Sequence, residues 1–358
     1  MDKLFYDLFV LEMANNHWGD VARGLKIIDA FSHVVRFNNV RAAIKLQFRD
    51  VDAFIHKDFR TAPLRYVQKT LATKLSVDDY AVLVKAVRQA SCMTMATPFD
   101  EVSVALCDKL GVDMIKIASS DINDWILIEA IAKLRKPVVV STGGSSAKDI
   151  DDLVRFFKKR DIPLAINHCV SRYPTEKEDL ELNQIDYLRN RYPDNVIGFS
   201  THERNEGIED SVMMAYAKGA RTFERHIDIA ADDKPVSPYC SLPEDMDRFI
   251  KAYKKAAAVC GSSGDVRRRI PAPETDYLDQ LVRGVYAKRD LKKGHKLCDD
   301  DVYLAIPLQK GQISCREFMC GERLTTDIAA DAPVSIDDID SPYARIASLK
   351  SFIRNRGL

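Results

Sequence analysis

The sequence predicts an α/β fold: a (β/α)8 TIM barrel followed by a small β-rich domain. Three observations carry this. Short apolar runs alternate with amphipathic helical stretches eight times within residues 1–260. Strands alternating with helices imply parallel pairing through crossover helices, and eight such units fit a closed barrel. No G-x-G-x-x-G follows the first strand, which argues against an open doubly wound sheet.

Taken in order, the first strand is read at residues 8–14, followed by a helix near 20–33. The second, 43–48, leads through a long insert to a helix at 77–89. Then come 92–98 with 101–110, 114–119 with 125–134, 137–142 with 147–159, and 163–169 with 182–191. The last two units are 196–200 with 208–218 and 221–228 with 243–260. Residues 261–282 open on a run rich in Gly, Ser, Pro and Arg and read as a linker. Residues 283–340 read as the small β-rich domain, with runs at 284–287, 302–306, 323–325 and 333–336 between turns such as Lys293-Gly294 and Lys310-Gly311. Residues 341–358 are a C-terminal tail of helical character that ends at Gly357.

Composition narrows the function. Lys and Arg total 53 and Asp and Glu total 53, so there is no net field to attract nucleic acid or an anionic membrane. No apolar stretch approaches the roughly 18 residues of a membrane span, and residues 1–10 carry Asp2 and Asp7 and lack the layout of a signal peptide. Eight cysteines form no C-x-x-C pair, which reads as reduced thiols in a cytoplasmic protein.

In a parallel barrel the chemistry lies at the carboxyl ends of the strands. The polar residues there are Glu12 to His17, Lys45 and Gln47, Thr97, Lys116 with Ser119 and Asp121, and Ser141 with Thr142. His168 with Ser171 and Tyr173, Ser200 to Glu203, and Glu224 with His226 complete the set. Two features stand out. Lys45, Lys116 and Arg225 sit inside otherwise apolar strands, where a lone cation is costly unless an anion pairs with it. Either each lysine pairs with a carboxylate of a neighbouring strand, or the two lysines join Thr97, Ser119, Ser141 and Ser200 in holding phosphate and carboxylate oxygens. Secondly, His202 and His226 end adjacent strands, and are either a divalent-metal pair or a hydrogen-bonded core pair. H-x-H and H-E-x-x-H are both absent, which argues against a zinc hydrolase.

Across nearly its whole length the chain resembles the sialic acid synthases and their relatives, including the spore coat polysaccharide biosynthesis protein E type. The matching blocks run in order: E-x-x-x-N-H-x-G from Glu12, K-x-Q at Lys45 and Gln47, T-P-F from Thr97, K-I-x-S from Lys116, and S-T-G from Ser141. H-C-x-x-x-Y-P from His168, G-x-S-x-H from Gly198 and E-R-H from Glu224 follow. R-G-V-Y-A-x-x-D-L-K-K-G, from Arg283, resembles the antifreeze-like (SAF) module of that family. The resemblance implies a transferase that condenses phosphoenolpyruvate with an open-chain aldose such as N-acetylmannosamine, releases phosphate, and serves surface polysaccharide biosynthesis.

By the same resemblance, Lys45, Thr97, Lys116, Ser119, Ser141, Ser171 and Ser200 match positions that hold phosphoenolpyruvate, and Gln47, Asp121 and Tyr173 match positions facing the sugar. Glu12, Lys45, Lys116 and Asp121 are the implied catalytic residues. His202 and His226 are the implied ligands of a manganese or magnesium ion. A domain-swapped homodimer is implied, with the SAF module capping the partner's site. The chain also departs from the family. Thr201 replaces the usual Asp before His202. The segment Lys234 to Pro238 replaces P-G-P-D, placing Ser237 where the sugar-binding Asp would be. Ile306-Pro307-Leu308 replaces R-P-G, whose Arg reaches the acyl group of the partner's substrate. The phosphoenolpyruvate side is kept and the sugar side is altered, so the same chemistry on a different, non-N-acetylated aldose is the main alternative. A catalytically silent sugar-binding homologue is the other, and the retained lysines and histidines argue against it.

Overall fold

The computed structural model describes residues 3–262, 264 and 266–358. It divides into two compact units, Met1–Gly261 and Ser262–Leu358.

In the first unit eight parallel strands close a barrel in sequence order: β1 (Leu8–Ala14), β2 (Arg41–Phe48), β3 (Met93–Pro98), β4 (Met114–Ile117), β5 (Val138–Ser141), β6 (Leu164–Cys169), β7 (Val196–Thr201) and β8 (Thr222–His226). The period of two along each strand explains both the core and the site. Leu8, Val10, Ala43, Met95, Met114, Val139, Ala165 and Val196 form one apolar cluster that fills the barrel near the strand N-termini. Further along the same face of each strand stand Glu12, Lys45, Thr97, Lys116, Ser141, Asn167, Ser200 and Glu224. The inward face thus changes from apolar to polar along the barrel axis. The other face, with Phe9, Leu11, Ile44, Ile115, Val140, Phe199 and Phe223, packs under the helices in the larger cluster.

The crossover helices are set by their caps. Ser76 and Asp79 form a capping box at Val77–Gln89, and Ser146 and Asp149 form one at Ala147–Lys158. The insert after β2 carries two further helices, Val51–Phe54 and Arg65–Ala72. Gly198 allows β6, β7 and β8 to approach closely: a Cβ there would lie 2.1 Å from Asn167 Oδ1 and 2.7 Å from the Thr222 carbonyl oxygen.

The second unit pairs β9 (Gly284–Ala287) with β10 (Val302–Ala305), and β11 (Arg323–Leu324) with β12 (Ile339–Asp340), both antiparallel. Its own core gathers Val285, Leu291, Leu297, Ile313, Val334 and Ile336. Four details differ from the sequence reading, the first being the strand Ile339–Asp340, which it did not include. Residues 333–336 are not a strand; they pair only through single bridges, Tyr286 with Pro333 and Gln312 with Ser335. The stretch read as linker contains a helix, Ala272–Asp279. The tail folds into two short helices, Pro342–Arg345 and Ala347–Arg354, and belongs to this unit: Ile353 joins its core, and buried Arg356 donates to Glu317 at 2.9 and 2.6 Å.

Candidate active site

A cavity of about 730 Å³ opens at the carboxyl ends of the strands. A smaller one, about 330 Å³, lies at the opposite end beside the starts of β6 and β7. The larger cavity is lined by twelve of the thirteen site residues expected from the sequence: Glu12, Lys45, Gln47, Thr97, Lys116, Ser119, Ser141, Ser171, Tyr173, Ser200, His202 and His226. Asp121 is not in the lining, although Ser120 beside it is. It sits in the turn Ser119–Asp121, one carboxylate oxygen is buried without a partner, and burial raises its pKa.

The two lysines behave differently. Lys45 is gripped by carboxylates from both sides, Glu12 on β1 and Glu224 on β8, the latter at 2.7 Å. Burial pulls its pKa down to about 8 against the opposing pull of Glu224. Glu224 would itself be raised by burial, but Lys116 and Lys45 hold it below the usual carboxylate range. Lys116, 2% exposed, makes no ion pair among the described residues; its Nζ donates to Ser141 Oγ at 2.7 Å and to the Ile117 carbonyl at 3.0 Å. Around it stand the hydroxyls of Ser119, Ser171 and Ser200 and the backbone of Gly143. The Gly143 N–H donates to Ser119 Oγ at 3.0 Å, and a Cβ on Gly143 would fall 2.1 Å from Ser171 Oγ, so the cradle requires glycine. Thr97 Oγ1 is buried without a partner on the same wall. A desolvated ammonium that touches hydroxyls and no carboxylate oxygen suits an anion.

Opposite lies an aromatic cluster. The rings of His202 and His226 are 5.3 Å apart; Tyr173 lies 4.0 Å from His202, and Tyr239 lies 5.3 Å from His226. Burial lowers the His202 pKa to about 4 and that of His226 well below its usual value, so both rings are neutral near pH 7. His202 Nδ1 lies 3.0 Å from the Val170 carbonyl, which engages that nitrogen and leaves Nε2. Among the described residues no group of three or more His, Cys, Asp or Glu is arranged to hold a metal. His202 and His226 are the neutral imidazoles that would hold an ion at this end of the cavity.

Lining residues that the sequence reading did not assign to the site include Glu224, Arg49, Arg65, Lys69 and Tyr239. Glu224 was findable, since it shares a strand face with His226. Arg225, grouped with the lysines in the sequence, faces away from the cavity. It donates to Ser241 Oγ at 2.5 Å, the Glu203 carbonyl at 2.8 Å and Asn205 Oδ1 at 2.9 Å, and so braces the β7–β8 loops.

Comparisons with known proteins agree with this arrangement. The structure aligns with that of a candidate spore coat polysaccharide biosynthesis protein E from Chromobacterium violaceum at TM-score 0.89 and 37% identity, covering 93% of this chain and 99% of that one. The N-acetylneuraminate-9-phosphate synthase of Drosophila melanogaster is 26% identical, over 93% of this chain and 96% of its own. The pseudaminic acid synthase of Campylobacter jejuni is 26% identical, over 89% of this chain and 92% of its own. The SAF domain model matches residues 282–340. The NeuB family model matches residues 36–265, which hold every cavity residue above except Glu12. With a barrel whose inward face turns from apolar to cationic and hydroxylic, and with this match over most of its length, the chain belongs to the NeuB family.

Proposed function

We propose that the protein is a phosphoenolpyruvate-dependent condensing synthase that joins phosphoenolpyruvate to an open-chain aldose and releases phosphate to give a nonulosonic-type acid. The observation that carries this reading is Lys116, buried, donating to Ser141 Oγ and the Ile117 carbonyl, and making no ion pair among the described residues. In this reading Lys116, the Gly143 cradle, Thr97 and the four serines hold the phosphate and carboxylate of phosphoenolpyruvate. The aldose enters beside Gln47, Tyr173 and Tyr239.

C3 of phosphoenolpyruvate attacks the aldehyde carbon, and the aldehyde oxygen gains a proton to become a hydroxyl. Positive charge develops at C2, and water adds there. The resulting tetrahedral carbon expels phosphate and leaves a 2-keto acid. In this reading Glu12 or Glu224 accepts the proton of the attacking water, and their contacts with Lys45 support it by fixing their orientation. His202 and His226 would hold a manganese or magnesium ion, which when bound supplies Lewis-acid polarisation of the aldehyde. The protein works as a cytoplasmic homodimer in surface polysaccharide biosynthesis.

The test is release of inorganic phosphate from phosphoenolpyruvate across a panel of aldoses with manganese, with product mass read in parallel. The expected product mass is the sum of the two substrates plus water, less phosphoric acid. Failure to consume phosphoenolpyruvate with any aldose overturns the proposal.

A further inference from the structure

The second unit brings two exposed thiols face to face. Cys298 and Cys320 are both free, and they are distant in the chain. The backbone joins them. Lys296 pairs with Arg323 in an antiparallel bridge. One step further, the Leu297 N–H donates to the Glu322 carbonyl at 2.9 Å, and the Leu297 carbonyl accepts the Gly321 N–H at 2.7 Å. Leu297 therefore faces two residues, which is a β-bulge, and Gly321 supplies the positive φ, 92°, that the first residue of such a bulge adopts. The extra residue shifts the register by one. Without it Cys298 would face Gly321; with it Cys298 faces Cys320.

Leu297 occupies a hydrogen-bonded position, so the cysteines beyond it occupy a non-hydrogen-bonded one. Facing Cα atoms at such a position lie about 4.5 Å apart, within the span of roughly 4.4–6.8 Å that a disulfide bridges. Each thiol is turned to a carboxylate. Cys298 Sγ donates to Asp301 Oδ2 at 3.1 Å, and Cys320 Sγ donates to Asp299 Oδ1 at 3.0 Å. The bond to Asp299 raises the Cys320 pKa, and the neighbouring Cys298 adds to the rise, so the two sulfurs are close enough to sense each other's charge. Among the described residues no group of three or more metal-ligating side chains gathers here. Joining to each other is the chemistry left to two facing thiols.

We infer that Cys298 and Cys320 are a reversible oxidation site that closes a disulfide by exchange with a small-molecule disulfide. One cysteine loses its proton and attacks a sulfur of the oxidant. A mixed disulfide forms, and one small thiolate leaves and takes up a proton. The second cysteine, also deprotonated, attacks the protein sulfur of that mixed disulfide and expels the second small thiol. The protein gives up two electrons and two protons, and the small disulfide becomes two thiols. The new bond closes a loop that contains β10 and Ile306. Oxidation thereby restrains the segment whose Ile306 replaces the family's acyl-contacting arginine by the sequence resemblance. The inference is independent of the synthase reading.

The test incubates the full chain with oxidised glutathione, alkylates the remaining thiols after denaturation, and maps the peptides by mass spectrometry. The expected product is a chain lighter by about two hydrogens, with Cys298 and Cys320 in one linked peptide and every other cysteine alkylated. Dithiothreitol should restore the original mass. Cys298→Ser and Cys320→Ser should each stop at an adduct with one glutathione on the remaining cysteine of the pair. Both residues are exposed, so these variants should keep the fold, which circular dichroism checks. The oxidised wild type should unfold at higher denaturant than the reduced protein, because the closed loop loses freedom in the unfolded chain, and neither serine variant should show that shift. Asp299→Asn frees the Cys320 thiol to ionise and should speed closure by about threefold or more. Glutathione left on both cysteines without a link, a link through Cys260 or Cys315 instead, or two cysteines that stay unoxidised overturns the inference.

Discussion

Lys45 Nζ lies 2.7 Å from Glu224 Oε1 although their strands are not neighbours, because β1 runs between β2 and β8 and contributes Glu12 to the same ammonium. One lysine therefore ties three consecutive strands where the barrel closes. Removing it leaves two buried carboxylates facing each other. Lys45→Met should cost about 3–5 kcal/mol of stability, the magnitude for breaking a buried pair from one side, and reduce turnover at least a hundredfold. Glu224→Gln keeps the shape and leaves Glu12 on the lysine, so it should cost less stability yet still impair turnover. Thermal unfolding and phosphate release on both variants check this; a Lys45→Met protein of unchanged melting temperature contradicts the triad.

Metal removal separates the two roles of the histidine pair. His226→Ala should bind manganese at least tenfold more weakly by paramagnetic resonance titration, and excess manganese should not restore its activity. Chelator should abolish wild-type activity and manganese restore it. Full activity in the metal-stripped protein would mean that the two rings are a core pair.

Acid stability should be set partly in the second unit. Asp301 is buried, and burial alone would raise its pKa. Hydrogen bonds from His295 at 2.7 Å, from Cys298, and from Arg289 at 2.5 Å outweigh that and hold it well below the carboxylate range. A depressed folded pKa stabilises fully above the unfolded value, near about 3.9, and that contribution is lost as pH falls toward the folded value. Asp301→Asn should therefore cost about 1–3 kcal/mol at pH 7, with the gap from wild type closing below about pH 4. Denaturant titrations at both pH values check the sign.

What the sequence revealed depends on where periodicity reaches. The barrel strands were legible because all but β3 have Phe, Ile, Leu or Val on the outward face, and the inward change from Val10 to Glu12 or from Ala43 to Lys45 marked the catalytic end. Arg225 misled because a cation in an apolar strand looks the same from either face; only its parity with Phe223 places it outside. The second unit was harder. Its strands are two to four residues long, too short to show alternation, so Ile339–Asp340 escaped notice and residues 333–336 looked like a strand. Arg65 and Lys69 reach the cavity only because the insert folds back over it, and no local pattern in residues 51–72 encodes that docking.

Each unit has its own core, so the barrel should fold alone. A chain of residues 1–261 should unfold cooperatively with circular dichroism typical of an α/β protein. The full chain should sediment as a dimer, and the barrel alone should lose most turnover, as a swapped cap implies. A monomeric full-length protein with ordinary activity removes the basis for the cap.

The altered sugar side gives the sharpest expectation. By the sequence resemblance, Ser237 takes the place of the family's sugar-binding aspartate. Here it is half-buried and its carbonyl accepts the Cys240 N–H at 2.9 Å, so it shapes the loop that presents Tyr239 to the histidines. By the same resemblance Ile306 of the second unit takes the place of the family's acyl-contacting arginine, and it has no polar group to offer. An aspartate accepts charge-assisted hydrogen bonds from sugar hydroxyls, and an arginine donates up to five. Leaving one polar group of the substrate buried without its hydrogen-bond partner costs about 1–3 kcal/mol. Two such groups amount to roughly a hundredfold or more in transition-state binding. N-acetylmannosamine should therefore be a poor substrate, while the KM for phosphoenolpyruvate stays ordinary because Lys116 and its hydroxyl cradle are intact. Ser237→Asp should raise kcat/KM for N-acetylmannosamine and leave the KM for phosphoenolpyruvate unchanged. The deciding measurement is kcat/KM across free and phosphorylated hexoses and hexosamines. If N-acetylmannosamine ranks first, residues other than Ser237 and Ile306 supply the hydrogen bonds it needs and the specificity argument fails.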